Sequence, residues 1–174
     1  MVKEKLSRKH VIMFSFLICI ASCSNIYENK IAEMLCIQDF SVFSYGRYES
    51  HAIGEWYIIE RYILYGDILK QLNVNKNMKA SDIQRHPLLE DYYWIGWNPM
   101  SEHSPIYDIL LESAHFHANN SLVREYKECC YSDDVCYYTI MIRDSAELHN
   151  DLYEKTAVVF AARTNTLYIC NYHY

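Results

Sequence analysis

Three groups of side chains in this 174-residue chain have the types and spacing that chemistry uses. His115-Phe116-His117 puts two imidazoles on one face of a strand, with Glu112 three residues upstream. Two histidines and a carboxylate form a catalytic-zinc ligand set. On a strand, however, Glu112 faces the other way, and on a helix the two histidines diverge. Surface or hydrogen-bonded histidines are the simpler reading, and no metal is assigned to them. The carboxylate pairs Glu90-Asp91 and Asp133-Asp134 have the makings of a glycosidase site. Turn and helix-end roles explain both pairs with fewer assumptions. The chain contains no HExxH, GxSxG, SxxK or glycine-rich phosphate loop, and its four glycines offer poor support for a backbone phosphate cradle. No cofactor is implied.

The third group is aromatic. EDYYWIGWNP packs Tyr92, Tyr93, Trp94 and Trp97 beside a loop, and exposed aromatics of this kind make protein or sugar contact surfaces. A core role for the tryptophans, plugging the space under the loop, is the equal alternative, with at least one of them buried.

The amino-terminal segment has a different logic. MVKEKLSRKH carries four basic residues against a single Glu4, and from Val11 to Ile20 only Ser15 interrupts a hydrophobic stretch. That stretch has the length of a secretory h-region and is shorter than the ~20 residues that span a bilayer. It ends at Ile20-Ala21-Ser22-Cys23. These four residues resemble the lipobox of bacterial lipoproteins: an aliphatic residue, two small residues and a cysteine. The resemblance covers roughly the first 24 residues and implies that residues 1–22 are a signal peptide, that the Cys23 sulfur is diacylated, and that Cys23 becomes the acylated first residue. A thiolate is the nucleophile that takes a thioether-linked lipid, and several acyl chains anchor stably where one is marginal. Cys19, between Ile18 and Ile20, lacks the pattern. Ser24, where aspartate would favour the inner membrane in lipoproteins of enterobacterial type, implies outer-membrane attachment facing the periplasm. The alternatives are a secreted protein cut after Ala21 or Cys23, and a buried helix of a cytosolic protein.

Residues 23–174 then form a single periplasmic domain of ordinary size. Loss of the leader removes four basic residues and one acidic residue, leaving 12 Lys+Arg against 21 Asp+Glu. Such a charge argues against nucleic acid and an anionic membrane surface as electrostatic partners and more easily accommodates a basic or neutral protein or glycan. Five cysteines remain: Cys36, Cys129, Cys130, Cys136 and Cys170. In an oxidising periplasm they are expected to pair where geometry permits. In ECCYSDDVCYY a hairpin centred on Asp133 sets Cys130 opposite Cys136, the expected disulfide, whereas a turn at Asp133-Asp134 sets Tyr131 there instead. Cys170 with Cys36 or Cys129 is the second candidate. Papain-like cell-wall peptidases occur among bacterial lipoproteins, but no Asp-Cys-Ser-Gly-type nucleophile segment is present here.

These residues need elements to position them. IYENKIAEMLCIQDF, residues 26–40, has apolar residues near helical spacing and predicts a first helix. SVFSYGRYE and EWYIIERYILYG are β-branched and aromatic runs broken at glycines, which predict strands. NVNKNMKASD is loop-like. Ser81-Asp82 offers an N-cap for a helix over IQRHPLLEDYYW, with Pro87 confined to its first turns or breaking it. Residues 96–105 read as loop, and residues 106–116 fit helix or strand. SLVREYKECC turning through YSDD into VCYYTIMIRD predicts one hairpin. After a helical SAELHNDLYEK, TAVVFAA turning at Arg163-Thr164-Asn165 into TLYICNYHY predicts another. The class is α+β, an antiparallel sheet of C-terminal hairpins with two or three packed helices. The expected function is that of a lipid-anchored, non-catalytic protein-binding domain of immunity or inhibitor type. A metal- or carboxylate-dependent periplasmic hydrolase and a structural envelope lipoprotein are the alternatives.

Overall fold

The computed structural model describes residues 26–52, 55–72, 83–101, 120–131, 135–143 and 154–173. The leader and Cys23, the Glu112/His115/His117 group, Asp133-Asp134, Ser81-Asp82 and most of the helix expected after Arg143 lie outside these residues.

Helix α1 (26–35) buries Ile31 and Leu35 and half-buries Tyr27 and Met34, an apolar stripe at spacings of three and four. It stops five residues short of the sequence expectation. Cys36 adopts φ 55°, and the Ile37 amide reaches back to the Ala32 carbonyl at 3.3 Å, the helix-ending bond made when a left-handed residue follows the last turn. The chain then enters β1 (Ser41–Ala52), which pairs antiparallel with β2 (Glu55–Tyr65). A bulge between Val42 and Ser44 pushes Phe43 out to 81 % exposure. At the end of β2, Gly66 takes φ +144°, and a β-carbon there would lie 2.9 Å from the Asp39 carbonyl oxygen, so this close approach admits no side chain. A single turn, α2 (Ile68–Gln71), follows.

The remaining strands are β3 (Gln84–Arg85), β4 (Tyr92–Trp94), β5 (Asn98–Pro99), β6 (Cys136–Arg143), β7 (Glu154–Ala161) and β8 (Thr166–His173). Their order is β1-β2-β8-β7-β6-β4-β3, with β5 also on β6, and each pairing is antiparallel. Among the described residues the architecture is an eight-stranded antiparallel sheet with three helices, α+β in class.

Two expectations are corrected. Ser121–Tyr131 is not a hairpin strand but helix α3. Leu122, Val123, Tyr126 and Cys130 fall on one helical face, and the Asn120 side chain caps the start, its Oδ1 accepting the amides of Leu122 (2.9 Å) and Val123 (3.4 Å). The helix expected over residues 83–94 is instead the short β3–β4 pair, Gln84 opposite Trp94 and Arg85 opposite Tyr93. Pro87 has no amide to donate, and the turn that follows it is tied to the His86 ring.

Helices cover both faces of the sheet, which produces two cores. Period-two alternation sends Tyr57, Ile59, Val159, Tyr168 and Cys170 toward α3. Tyr62, Leu64, Val158, Phe160, Leu167 and Ile169 face α1 and α2. A strand covered on both sides has no solvent face to fill with polar residues, which is why β7 carries the unbroken run Ala157–Ala161.

Candidate functional site

Beside α1, the face that carries it is not fully covered. A groove of about 440 Å³ separates the helix from the turn leading into β4. Lys30, Glu33 and Met34 form the helical wall, Leu89 and Tyr92 stand opposite, and Met141, Thr156 and Asn171 make the floor. The floor residues form one row across three paired strands, Met141 opposite Thr156 and Thr156 opposite Asn171. The Thr156 hydroxyl donates to Asn171 Oδ1 at 2.7 Å, which fixes the amide and leaves its nitrogen as a donor.

The cation on the wall is already matched. Lys30 Nζ donates to Glu60 Oε2 at 2.6 Å, and Tyr45 OH donates to Glu60 Oε1 at 3.1 Å. Arg47 Nη1 lies 3.9 Å from the same carboxylate. Glu60 is 3 % exposed, so these neighbours supply the polar contacts that water cannot. Burial, reinforced by the Glu60 charge, pushes the Tyr45 hydroxyl up to about 12. Tyr45 also stacks on Tyr27 at 4.5 Å and packs tilted on Tyr62 at 5.0 Å. The groove therefore combines methionine and aromatic surface with a neutralised cation, the Glu33 carboxylate, a hydroxyl and an amide. That mixture suits a segment with both apolar side chains and backbone groups to hydrogen-bond.

The aromatic quartet of the sequence is divided. Tyr92 lines the groove. Trp94, two residues on and on the same side of β4, packs at 4.7 Å against the His86 ring. Tyr93 points to the opposite side, with the Arg85 guanidinium 5.8 Å from its ring centroid. Trp97 is 1 % exposed and belongs to the core beneath α1, where it meets the expectation of a plug rather than a contact residue. Lys30, Glu60, Thr156 and Asn171 were not singled out from the sequence. One signal was available for Glu60, a lone acid inside the strand run WYIIERYILY.

A Cys–His pair does occur, at Cys36 and His86, with Sγ 3.8 Å from Nε2. It is a clasp, not a nucleophile and its base. His86 Nε2–H donates to the Met34 carbonyl at 3.0 Å, and Nδ1 accepts the amides of Leu88 (3.2 Å) and Leu89 (3.1 Å). No ring nitrogen is left to take a proton from the thiol. Burial lowers the His86 pKa and raises that of Cys36, so neither group is tuned for attack at neutral pH.

Cys36, Cys129, Cys130, Cys136 and Cys170 are thiols in this structure. The hairpin that would have set Cys130 against Cys136 is replaced by α3, and Cys129 presents its sulfur to Cys136, with Sγ atoms 3.6 Å apart. Among the described residues no three His, Cys, Asp or Glu side chains group to hold a metal, and no helix is long and apolar enough to cross a membrane. The chain matches no family model, no curated protein and no solved structure.

Proposed function

We propose that this chain is a lipid-anchored lipoprotein of a bacterial envelope whose domain, residues 23–174, binds a protein partner without catalysis. The anchoring rests on one observation, the order of basic start, apolar run and Ile20-Ala21-Ser22-Cys23. Ser24 favours the outer membrane, facing the periplasm, as the destination. The binding role is supported by the groove between α1 and β4, whose mixed lining suits a polypeptide segment and whose cation is already spoken for by Glu60. The acidic balance of the mature chain favours a basic or neutral partner, as for an immunity or inhibitor protein that occludes a secreted toxin.

Metabolic labelling with a palmitate analogue tests the anchor. Label is expected on the wild type and not on Cys23→Ala, which should also leave the membrane fraction; equal labelling of both would end the reading. A photo-crosslinking residue at Tyr92 tests the groove, with one at exposed Tyr65 as control. Crosslinking to a protein from position 92 and not from 65 is expected.

A further inference from the structure

We propose that Cys129 and Cys136 are the sites of an intrachain disulfide that clips the last turn of α3 to the first residue of β6. Their Sγ atoms lie 3.6 Å apart, and Cys136 Sγ is also 3.6 Å from the Cys129 carbonyl oxygen. Bonding requires the sulfurs to close from 3.6 Å to about 2.05 Å, by rotation about the torsions of the two side chains.

The other two nearby thiols are bystanders. Cys130 is the next residue along α3, but its side chain is 2 % exposed and packs in the core with Leu122, Val123 and Tyr126. Cys170, on β8, is 1 % exposed in the same core. Burial raises the pKa of both, that of Cys170 to about 12. Cys136 is itself only 4 % exposed, and what singles it out as the partner of Cys129 is the 3.6 Å between their Sγ atoms. Cys129 is only half-buried and is the thiol that a donor reaches first.

The oxidant is a disulfide, either that of a protein thiol–disulfide oxidoreductase or that of oxidised glutathione. The Cys129 thiolate attacks it, forming a mixed disulfide and releasing one donor thiolate. The Cys136 thiolate then attacks Cys129 Sγ, forming the internal bond and releasing the second donor thiolate. The pair loses two protons and two electrons, and the donor disulfide becomes two thiols. None of this depends on the lipid anchor, because the bond is set by geometry within the domain and forms in any buffer oxidising enough.

The test uses the full chain, purified in detergent and equilibrated across a series of glutathione redox buffers. Thiols are blocked with a light alkylating reagent under denaturing conditions, then disulfides are reduced and labelled with the heavy form. Trypsin releases one peptide, Glu128–Arg143, that carries Cys129, Cys130 and Cys136. Fragment spectra should place heavy label on Cys129 and Cys136 and light label on Cys130. In Cys130→Ala the heavy pair should persist with its redox midpoint unmoved. Heavy label on Cys130 together with Cys136, light label on all three in the most oxidising buffer, or loss of the pair in Cys130→Ala would overturn the assignment.

Discussion

Lys30 Nζ lies 2.6 Å from Glu60 Oε2 and so ties helix α1 to the middle of strand β2 through a carboxylate that solvent barely reaches. A buried charge of this kind contributes little net stability while paired, but removing its partner is damaging, because an uncompensated anion stays behind in a poorly solvated place. Lys30 is itself 43 % exposed, so water screens part of the interaction. Lys30→Met should therefore destabilise the domain by about 1–2 kcal/mol, less than the loss from a fully buried pair. Adding Glu60→Gln to that variant should recover part of the loss. Urea unfolding of the two single variants and the double variant checks this, and a Lys30→Met protein as stable as the parent would show that Tyr45 and Arg47 suffice.

His86 makes stability depend on pH. Burial holds its pKa below the ordinary 6.5, so as pH falls through 6.5 the unfolded chain takes up a proton that the folded one refuses. Proton uptake then favours unfolding. The contribution of His86 is complete above 6.5 and declines as pH drops toward the folded value, with a slope of at most about 1.4 kcal/mol per pH unit. Comparing wild type with His86→Gln by denaturant unfolding at several pH values should show the variant to be less stable at neutral pH and flatter between neutral and mildly acidic pH.

Thr139, on the central part of β6, is fully buried, and its Oγ1 has no hydrogen-bond partner among the described residues. Valine keeps the shape and removes the stranded hydroxyl. Thr139→Val should raise stability by about 1 kcal/mol, seen as a higher urea midpoint at unchanged slope. A lower midpoint would reveal that the hydroxyl has a partner, such as a buried water.

Trp97 fills the core under α1, and Trp97→Ala should destabilise the protein by about 3–5 kcal/mol. Its fluorescence should resist acrylamide quenching, and the protected component should vanish in Trp97→Phe. Rapid quenching of every tryptophan in the wild type would contradict its burial.

Local pattern carried the reading where local pattern makes the structure. The β-branched and aromatic runs of β1 and β2 are strands because their neighbours along the chain pair directly. The apolar stripe of α1 is visible in residues 27–35 for the same reason. Ser121–Tyr131 misled because its Val, Tyr and Cys residues also suit a strand, and what decides for helix is the Asn120 cap together with a face buried on β1 and β2. β3 and β4 were hidden because the turn between them is organised by one imidazole accepting two backbone amides, a link that propensity does not register. In the groove Tyr92 stood out as one of a cluster. Lys30, Thr156 and Asn171 did not: Thr156 and Asn171 pair across the β7–β8 hairpin, but Lys30 comes from the distant helix α1, and only the folded sheet brings the two together.

The place of β8 between β2 and β7 governs how the molecule can be made. Gly66, at the end of β2, and Asn165, at the start of β8, share a hydrogen bond although 99 residues separate them. A nascent chain leaving the ribosome can form the β1–β2 hairpin early, but the free side of β2 has no described strand to zip onto until β8 has been translated. Until β8 has been made, the inner edge of that hairpin is an unpaired strand edge, open to pairing with other chains.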